Sequence, residues 1–168
     1  DQLPDGTFVL GSGAEIKYRV LLSDGSELTG LTLDANVASV ELASGDTIDA
    51  SSVLGWSGQI TGSAEADIII GASGIGALSG RGGDDTITGS SGSDLIYGDH
   101  GDDTINSLGG ADTIYGGTGD DRITSGSGNS TIFGGAGSDT ITTGAGNNTI
   151  YGDAGDGHIT SGTGDRKS

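Results

Sequence analysis

Seven aspartates recur at fixed intervals along the chain: Asp67, Asp85, Asp94, Asp103, Asp112, Asp121 and Asp139, each 9 or 18 residues after the last. An ionised carboxylate only accepts hydrogen bonds, so a row of them calls for cations. The whole sequence leans the same way, with a formal net charge of −18 over 168 residues. That balance points to cations as partners and argues against nucleic acid and anionic membranes. Catalysis finds little support. His100 and His158 lie in different repeats, and no Ser-His-Asp set or further acid pair accompanies them. No residue is assigned a catalytic role, and the chain reads as a non-enzyme.

Carboxylates this regular need regular elements to hold them. From Gly62 onward the chain divides into nine-residue frames without an insertion, beginning at Gly62, Gly71, Gly80, Gly89, Gly98, Ser107, Gly116, Ser125, Gly134, Thr143, Gly152 and Ser161. The eighth position of every complete frame is a large aliphatic: Ile69, Leu78, Ile87, Ile96, Ile105, Ile114, Ile123, Ile132, Ile141, Ile150 and Ile159. The seven aspartates hold the sixth. Composition alone, with 32% hydrophobic residues and 36 glycines, reads as disorder. The sustained phase overrules it. Nine residues are too few for a helical repeat. Positions seven to nine, as in "TIT" or "TIY", are β-branched or aromatic and alternate out, in, out along a short strand. The six residues before them are glycine-rich and turn the chain. Two frames then close one coil of 18 residues, with two strands facing each other across a ladder of isoleucines. Each strand pairs with its equivalent one coil on, about 4.8 Å away.

These frames resemble the G-G-x-G-x-D-x-U-x nonapeptide of the repeats-in-toxin (RTX) family. "GGTGDDRIT" (116–124) and "GGAGSDTIT" (134–142) match it at every defined position, and the resemblance covers residues 62 to 168. It implies an all-β fold, a right-handed parallel β-roll (a β-solenoid of 18-residue coils), with Ca²⁺ as its cofactor. Calcium takes six to eight oxygens at about 2.3–2.6 Å from carboxylates and carbonyls, which acidic, glycine-rich turns can supply. By the same resemblance, each ion sits between two turns on one edge, one coil apart. The first turn lends the carbonyls of positions two and four and its aspartate; the next lends the carbonyls of positions one and three and its aspartate. Carried onto this chain, one site joins Arg81, Gly83 and Asp85 to Gly98, His100 and Asp103. The next joins Asp99, Gly101 and Asp103 to Gly116, Thr118 and Asp121, and a third joins Gly117, Gly119 and Asp121 to Gly134, Ala136 and Asp139. Asp67 with Asp85 makes a poorer fourth, since "GSAEAD" (62–67) lacks glycine at positions two and four.

The opposite edge departs from the pattern. Its sixth positions run Gly76, Asp94, Asp112, Ser130, Asn148 and Arg166. Only Asp94 and Asp112 pair there, drawing on Ser90, Gly92, Ser107 and Gly109. Beyond them, "SGSGNS" (125–130) and "TGAGNN" (143–148) offer neutral oxygens, so this edge is expected to lose metal toward the C-terminus. On the first edge, Gly157 replaces the expected aspartate and weakens the last site. The resemblance also implies bacterial type I secretion, with folding on calcium outside the cell. The chain then reads as a structural segment of a secreted or cell-surface adhesin, surface-layer protein or exoenzyme. The absence of cysteine fits that setting.

Residues 1–61 lack the nonapeptide phase and carry Phe8, Tyr18 and Trp56. They read as a β-rich N-terminal cap or a small flanking β-domain, with residues 62–168 forming the roll. "EIKYRVLLSDGSELTGLTL" (15–33) suggests two strands around a turn at "SDGS", "VASVEL" (37–42) another strand, and Leu54 and Ile60 lead into the roll. The sequence ends inside a frame, at "SGTGDRKS" (161–168), as a fragment of a longer protein would. No stretch of about 18 or more apolar residues suggests a membrane span.

Two outward faces suggest further partners. One carries Thr86 and Thr88, Thr104 and Asn106, Arg122 and Thr124, Thr140 and Thr142, His158 and Thr160. Such Thr-x-Thr columns resemble the surfaces of ice-binding proteins, so calcium-dependent ice binding is an alternative function, though Arg122 and His158 interrupt the array. The other face stacks Tyr97, Tyr115, Phe133 and Tyr151, either as a ladder that strengthens the sheet or as a stripe for self-association or a cell-surface glycan. The latter would suit a carbohydrate-associated module of a secreted enzyme.

Overall fold

The computed structural model describes residues 18–21, 27–31, 39–41, 45, 47–51, 57–155 and 157–167. Among them every regular element is a strand, and no helix is long and apolar enough to cross a membrane. The strands fall into two sheets. In chain order the first is built from β1 (Tyr18–Leu21), β2 (Glu27–Leu31), β4 (Thr47–Asp49), β6 (Ile68–Ile70), β8 (Thr86–Ser90), β10 (Thr104–Leu108), β12 (Arg122–Ser125), β14 (Thr140–Thr143) and β16 (His158–Thr160). The second takes β3 (Ser39–Glu41), β5 (Gln59–Thr61), β7 (Ala77–Gly82), β9 (Leu95–His100), β11 (Thr113–Thr118), β13 (Thr131–Ala136), β15 (Thr149–Tyr151) and β17 (Arg166–Lys167). Strands alternate between the sheets from β3 onward, as in a parallel β-solenoid of about six turns.

The nine-residue period sets the register. Ile87 pairs with Ile105, Ile105 with Ile123 and Ile123 with Ile141 in one sheet, while Ile96, Ile114, Ile132 and Ile150 align in the other. All of these are 0–1% exposed, and Leu78 is 2% exposed. Ile159 packs against the same column from the last coil. The parallel stack also takes in strands upstream of the first nonapeptide. Val40 pairs with Ile60 and Ile48 with Ile69, so these two coils are longer than the nonapeptide coils after them, and Ile48 and Ile60 extend the core. The hairpin of β1 and β2 is antiparallel, and β1 joins β4 antiparallel (Val20↔Ile48), covering the N-terminal edge of the first sheet. Phe8, Leu54 and Trp56 lie outside the described residues.

The turns depend on glycine at one position above all. The fourth residue of each frame from Gly74 to Gly164 is a glycine, and all of these but Gly92 stand at positive φ. That conformation costs other residues about 1–2 kcal/mol. A Cβ on Gly101 would stand 2.0 Å from the carbonyl oxygen of Gly83 one coil earlier, so the coils stack here by backbone on backbone.

The last coil corrects the reading of the sequence. The frame places Arg166 in the sixth-position slot, but Thr149 pairs with Arg166, one residue short of the usual offset. Asp165 fills the slot instead, and its carboxylate accepts from the backbone and side-chain nitrogens of Asn148 (3.1 and 2.9 Å) and from the Thr143 hydroxyl. The physical reason is plain: the slot presents donors, and a guanidinium has no acceptor to offer them.

Outward, the threonine columns lie on the first sheet, interrupted by Arg122 and preceded by the exposed Ile68. On the second sheet Tyr97, Tyr115, Phe133 and Tyr151 stack with ring centroids 5.0, 4.8 and 4.7 Å apart and planes within 5°.

Candidate metal centre

The turns that lead into β6, β8, β10, β12 and β14 form the first edge, and their last residues are Asp67, Asp85, Asp103, Asp121 and Asp139. All five are buried, at 1–2% exposure. Each of the last four spends one oxygen on the coil before it. The backbone N–H of Asp67 donates to Asp85 Oδ1 (2.7 Å), Asp85 to Asp103 (2.8 Å), Asp103 to Asp121 (2.9 Å) and Asp121 to Asp139 (3.0 Å). Their second oxygens are the unusual atoms of this molecule. Oδ2 of Asp85, Asp103, Asp121 and Asp139 is buried and has no hydrogen-bond partner. A buried acceptor left unpaired costs about 1–3 kcal/mol, and more when charged.

Glycine at position one makes room for these oxygens. A Cβ on Gly80, Gly98, Gly116 or Gly134 would fall 2.0, 2.3, 2.5 or 2.4 Å from the Oδ2 of Asp85, Asp103, Asp121 or Asp139. Carbonyls crowd the same space between coils. Those of Gly116 and Gly134 would meet a Cβ on Gly98 and Gly116 at 2.4 Å, and those of Asp99 and Gly117 would meet one on Gly117 and Gly135 at 2.0 Å. The carbonyls of Thr118 and Ala136 already accept the N–H of Gly101 (2.8 Å) and Gly119 (2.9 Å), which leaves each a second lone pair. The side chains of Arg81 and His100 turn outward, Arg81 to Glu41 (3.0 Å) and the His100 ring to the Thr118 hydroxyl (2.8 Å), so only their backbones belong to the edge.

Without a counter-charge the burial of these carboxyls favours their protonated form. Burial pushes Asp85 and Asp121 up from 3.8 to about 7, against the pull of the amides of Asp67 and Asp103, and neighbouring carboxylates add to the rise. Burial moves Asp103 and Asp139 the same way. Outside this row runs a second one. Asp84, Asp102 and Asp120 accept the N–H of Asp102 (2.9 Å), Asp120 (2.8 Å) and Ser138 (2.7 Å), so each pair of coils is tied by carboxylates reaching in both directions.

Asp67 differs from its neighbours, because its Oδ2 accepts from the N–H and hydroxyl of Ser63 (2.6 and 3.0 Å). The second edge differs in the same sense. Asp94 Oδ2 accepts from the Ser90 N–H (2.7 Å), and both its oxygens face the Ser90 hydroxyl (3.1 and 3.2 Å). Asp112 Oδ2 accepts from the Ser107 hydroxyl (2.6 Å), and Asp94 donates its N–H to Asp112 Oδ1 (3.0 Å). Burial still raises Asp94. Gly92 donates its N–H to the Ser90 hydroxyl and Gly109 to the Ser90 carbonyl, so these predicted ligands lie together at the turn. Reading the sequence missed the hydroxyls of Ser63, Ser90, Ser107 and Thr143 as donors. The available signal was their position, first or second in a turn whose sixth residue is polar or acidic.

Among the described residues no three His, Asp or Glu side chains converge as a metal cluster. A cation on the first edge would therefore rest on two carboxylates from adjacent coils and on backbone carbonyls, a donor set of hard oxygens that suits Ca²⁺. Orphaned carboxylate oxygens, and position-one glycines whose Cβ would collide with them, mark the first edge of this β-solenoid. The chain matches the RTX calcium-binding nonapeptide repeat over residues 79–114, 101–132 and 133–165, just over half its length, and it belongs to that family. No curated protein and no solved structure shows a significant match to it.

Proposed function

We propose that this chain is a calcium-responsive structural segment whose roll assembles when its first edge is loaded. The residues that would hold the ions are Asp85, Asp103, Asp121 and Asp139. Backbone carbonyls complete the sites: Arg81, Gly83, Gly98 and His100 in the first, Asp99, Gly101, Gly116 and Thr118 in the second, Gly117, Gly119, Gly134 and Ala136 in the third. One observation carries the reading: four buried carboxylate oxygens in a row have no donor. Bound calcium supplies the positive charge that those lone pairs lack. Each coil buries only two large aliphatic side chains against the entropy of ordering its whole length of chain, so the cation decides whether the coil forms.

A module of this kind stays unfolded where calcium is scarce and becomes rigid where it is abundant. That suits passage out of a bacterial cell by type I secretion and service in an extracellular adhesin, surface-layer protein or exoenzyme, in a structural and non-catalytic role. The aromatic column supports a stiffening role over a sugar platform, because the stacked rings cover one another's faces and a sugar needs an open one. Circular dichroism of the full chain tests the proposal. Disorder in chelator and β structure in millimolar Ca²⁺ is expected, with Mg²⁺ a poor substitute because it demands a tighter octahedral shell. A roll that stays fully folded after exhaustive chelation contradicts it.

A further inference from the structure

Resting on calcium at the first edge, we propose that the second edge is a metal-free seam, closed by hydroxyl donors where the first edge takes an ion. The two edges are built from the same frame but present different donors to their carboxylates. Where the first edge has Gly80, Gly98, Gly116 and Gly134 at position one, with no hydroxyl at position two, its carboxylate Oδ2 atoms are unpartnered. Every described carboxylate in the sixth-position slot of the second edge instead has a hydroxyl from a serine or threonine at position one or two of a turn on that edge. Ser90 serves Asp94, Ser107 serves Asp112, and Thr143 serves Asp165. Asp67 shows the same rule on the first edge, where a serine at position two, Ser63, engages its Oδ2.

The seam is continuous. Asp94, Asp112, Ser130 and Asn148 each donate a backbone N–H to the sixth-position slot one coil on, to Asp112 (3.0 Å), Ser130 (3.2 Å), Asn148 (2.8 Å) and Asp165 (3.1 Å). At Asp94 the approach to Oδ2 is taken by a main-chain N–H as well as a hydroxyl. A cation at the Asp94–Asp112 pair would have to displace donors already in place, whereas on the first edge it meets bare lone pairs. Calcium therefore titrates one edge, and protein donors keep the register of the other.

Calcium bound per chain, measured by equilibrium dialysis on the 168-residue chain and its variants, tests this. Asp103→Asn should lose about two ions, because Asp103 serves two neighbouring sites, while Asp112→Asn should keep the wild-type number and unfold at a lower temperature. The double variant Ser90→Gly, Ser107→Gly removes both hydroxyls and frees residue 90 to take the positive φ that Gly117 and Gly135 have beside the unpartnered Oδ2 of Asp121 and Asp139, so it should gain an ion. Loss of an ion in Asp112→Asn, or no gain in the serine variant, overturns the seam. An unchanged count in Asp103→Asn instead overturns the first-edge reading on which it rests. Should Asp112→Asn fail to fold in calcium, the serine variant decides.

Discussion

The buried Oδ2 atoms of Asp85, Asp103, Asp121 and Asp139 concentrate the chemistry of this molecule. Burial penalises the charge of Asp85 and Asp121 and pushes both up from 3.8 to about 7. A raised carboxyl pKa means that the folded chain holds the proton more tightly than the unfolded one. Its stabilising contribution is complete below about 3.8 and is lost as pH rises through about 7. In chelator, β structure followed by circular dichroism should therefore grow as pH falls from about 8 to about 5; a signal that falls with pH would contradict this. In saturating calcium the sign reverses, since only the ionised carboxylate ligates a cation. Glycine geometry makes a second test at this scale. Gly101→Ala places a Cβ 2.0 Å from the Gly83 carbonyl at φ 126. Backbone cannot yield as a side chain can, so the loss should exceed about 3 kcal/mol, in the range reserved for backbone clashes and strain. A calcium-saturated unfolding midpoint within error of wild type would show that the coils do not stack this closely.

Turns, more than strands, distinguish one half of the roll from the other. The strands repeat almost unchanged, whereas the first two residues of the turns determine whether a carboxylate meets a glycine or a hydroxyl, from its own turn at Asp94 and Asp112 and from the preceding coil at Asp165. One turn on the second edge is unfinished: Ser125 offers a buried hydroxyl with no partner, because Ser130 stands where its neighbours carry Asp112 or Asn148. Ser130→Asp should complete it, accepting from the Ser125 hydroxyl and the Asp112 N–H as Asp112 itself accepts from Ser107 and Asp94. Stabilisation by about 1 kcal/mol is expected from the recovered hydrogen bond, read as a raised unfolding temperature in calcium. A lowered one would mean that repulsion from Asp112 outweighs it. The sequence shows position six as a column of acids because spacing alone defines it. It does not show which donor faces each acid, since that depends on how the turn residues fold back over the slot. The same blindness misplaced Arg166: counting by nine carries no information about whether a slot contains donors or acceptors.

At the scale of the whole molecule, most of the roll was legible. Eleven aliphatic residues at nine-residue intervals, Ile69 to Ile159, become the core column and set a parallel register, because only one side-chain direction in each short strand leads inward. The two coils before Gly62 were harder to see. Their greater length breaks the phase, and among the described residues Ile48, Ala50 and Ile60 tie them to the column. Charge is distributed as unevenly as the donors. The described turns of the first edge carry Glu65, Asp67, Asp84, Asp85, Asp99, Asp102, Asp103, Asp120, Asp121, Asp139 and Asp153, while those of the second carry Asp94, Asp112 and Asp165. Such an asymmetric molecule should respond to calcium along one side. Anomalous diffraction from crystals grown in calcium measures this most directly. Peaks between Asp85 and Asp103, Asp103 and Asp121, and Asp121 and Asp139, each within about 2.3–2.6 Å of carboxylate and carbonyl oxygens, are the predicted result. A first edge without anomalous peaks in a folded, calcium-soaked crystal would contradict it.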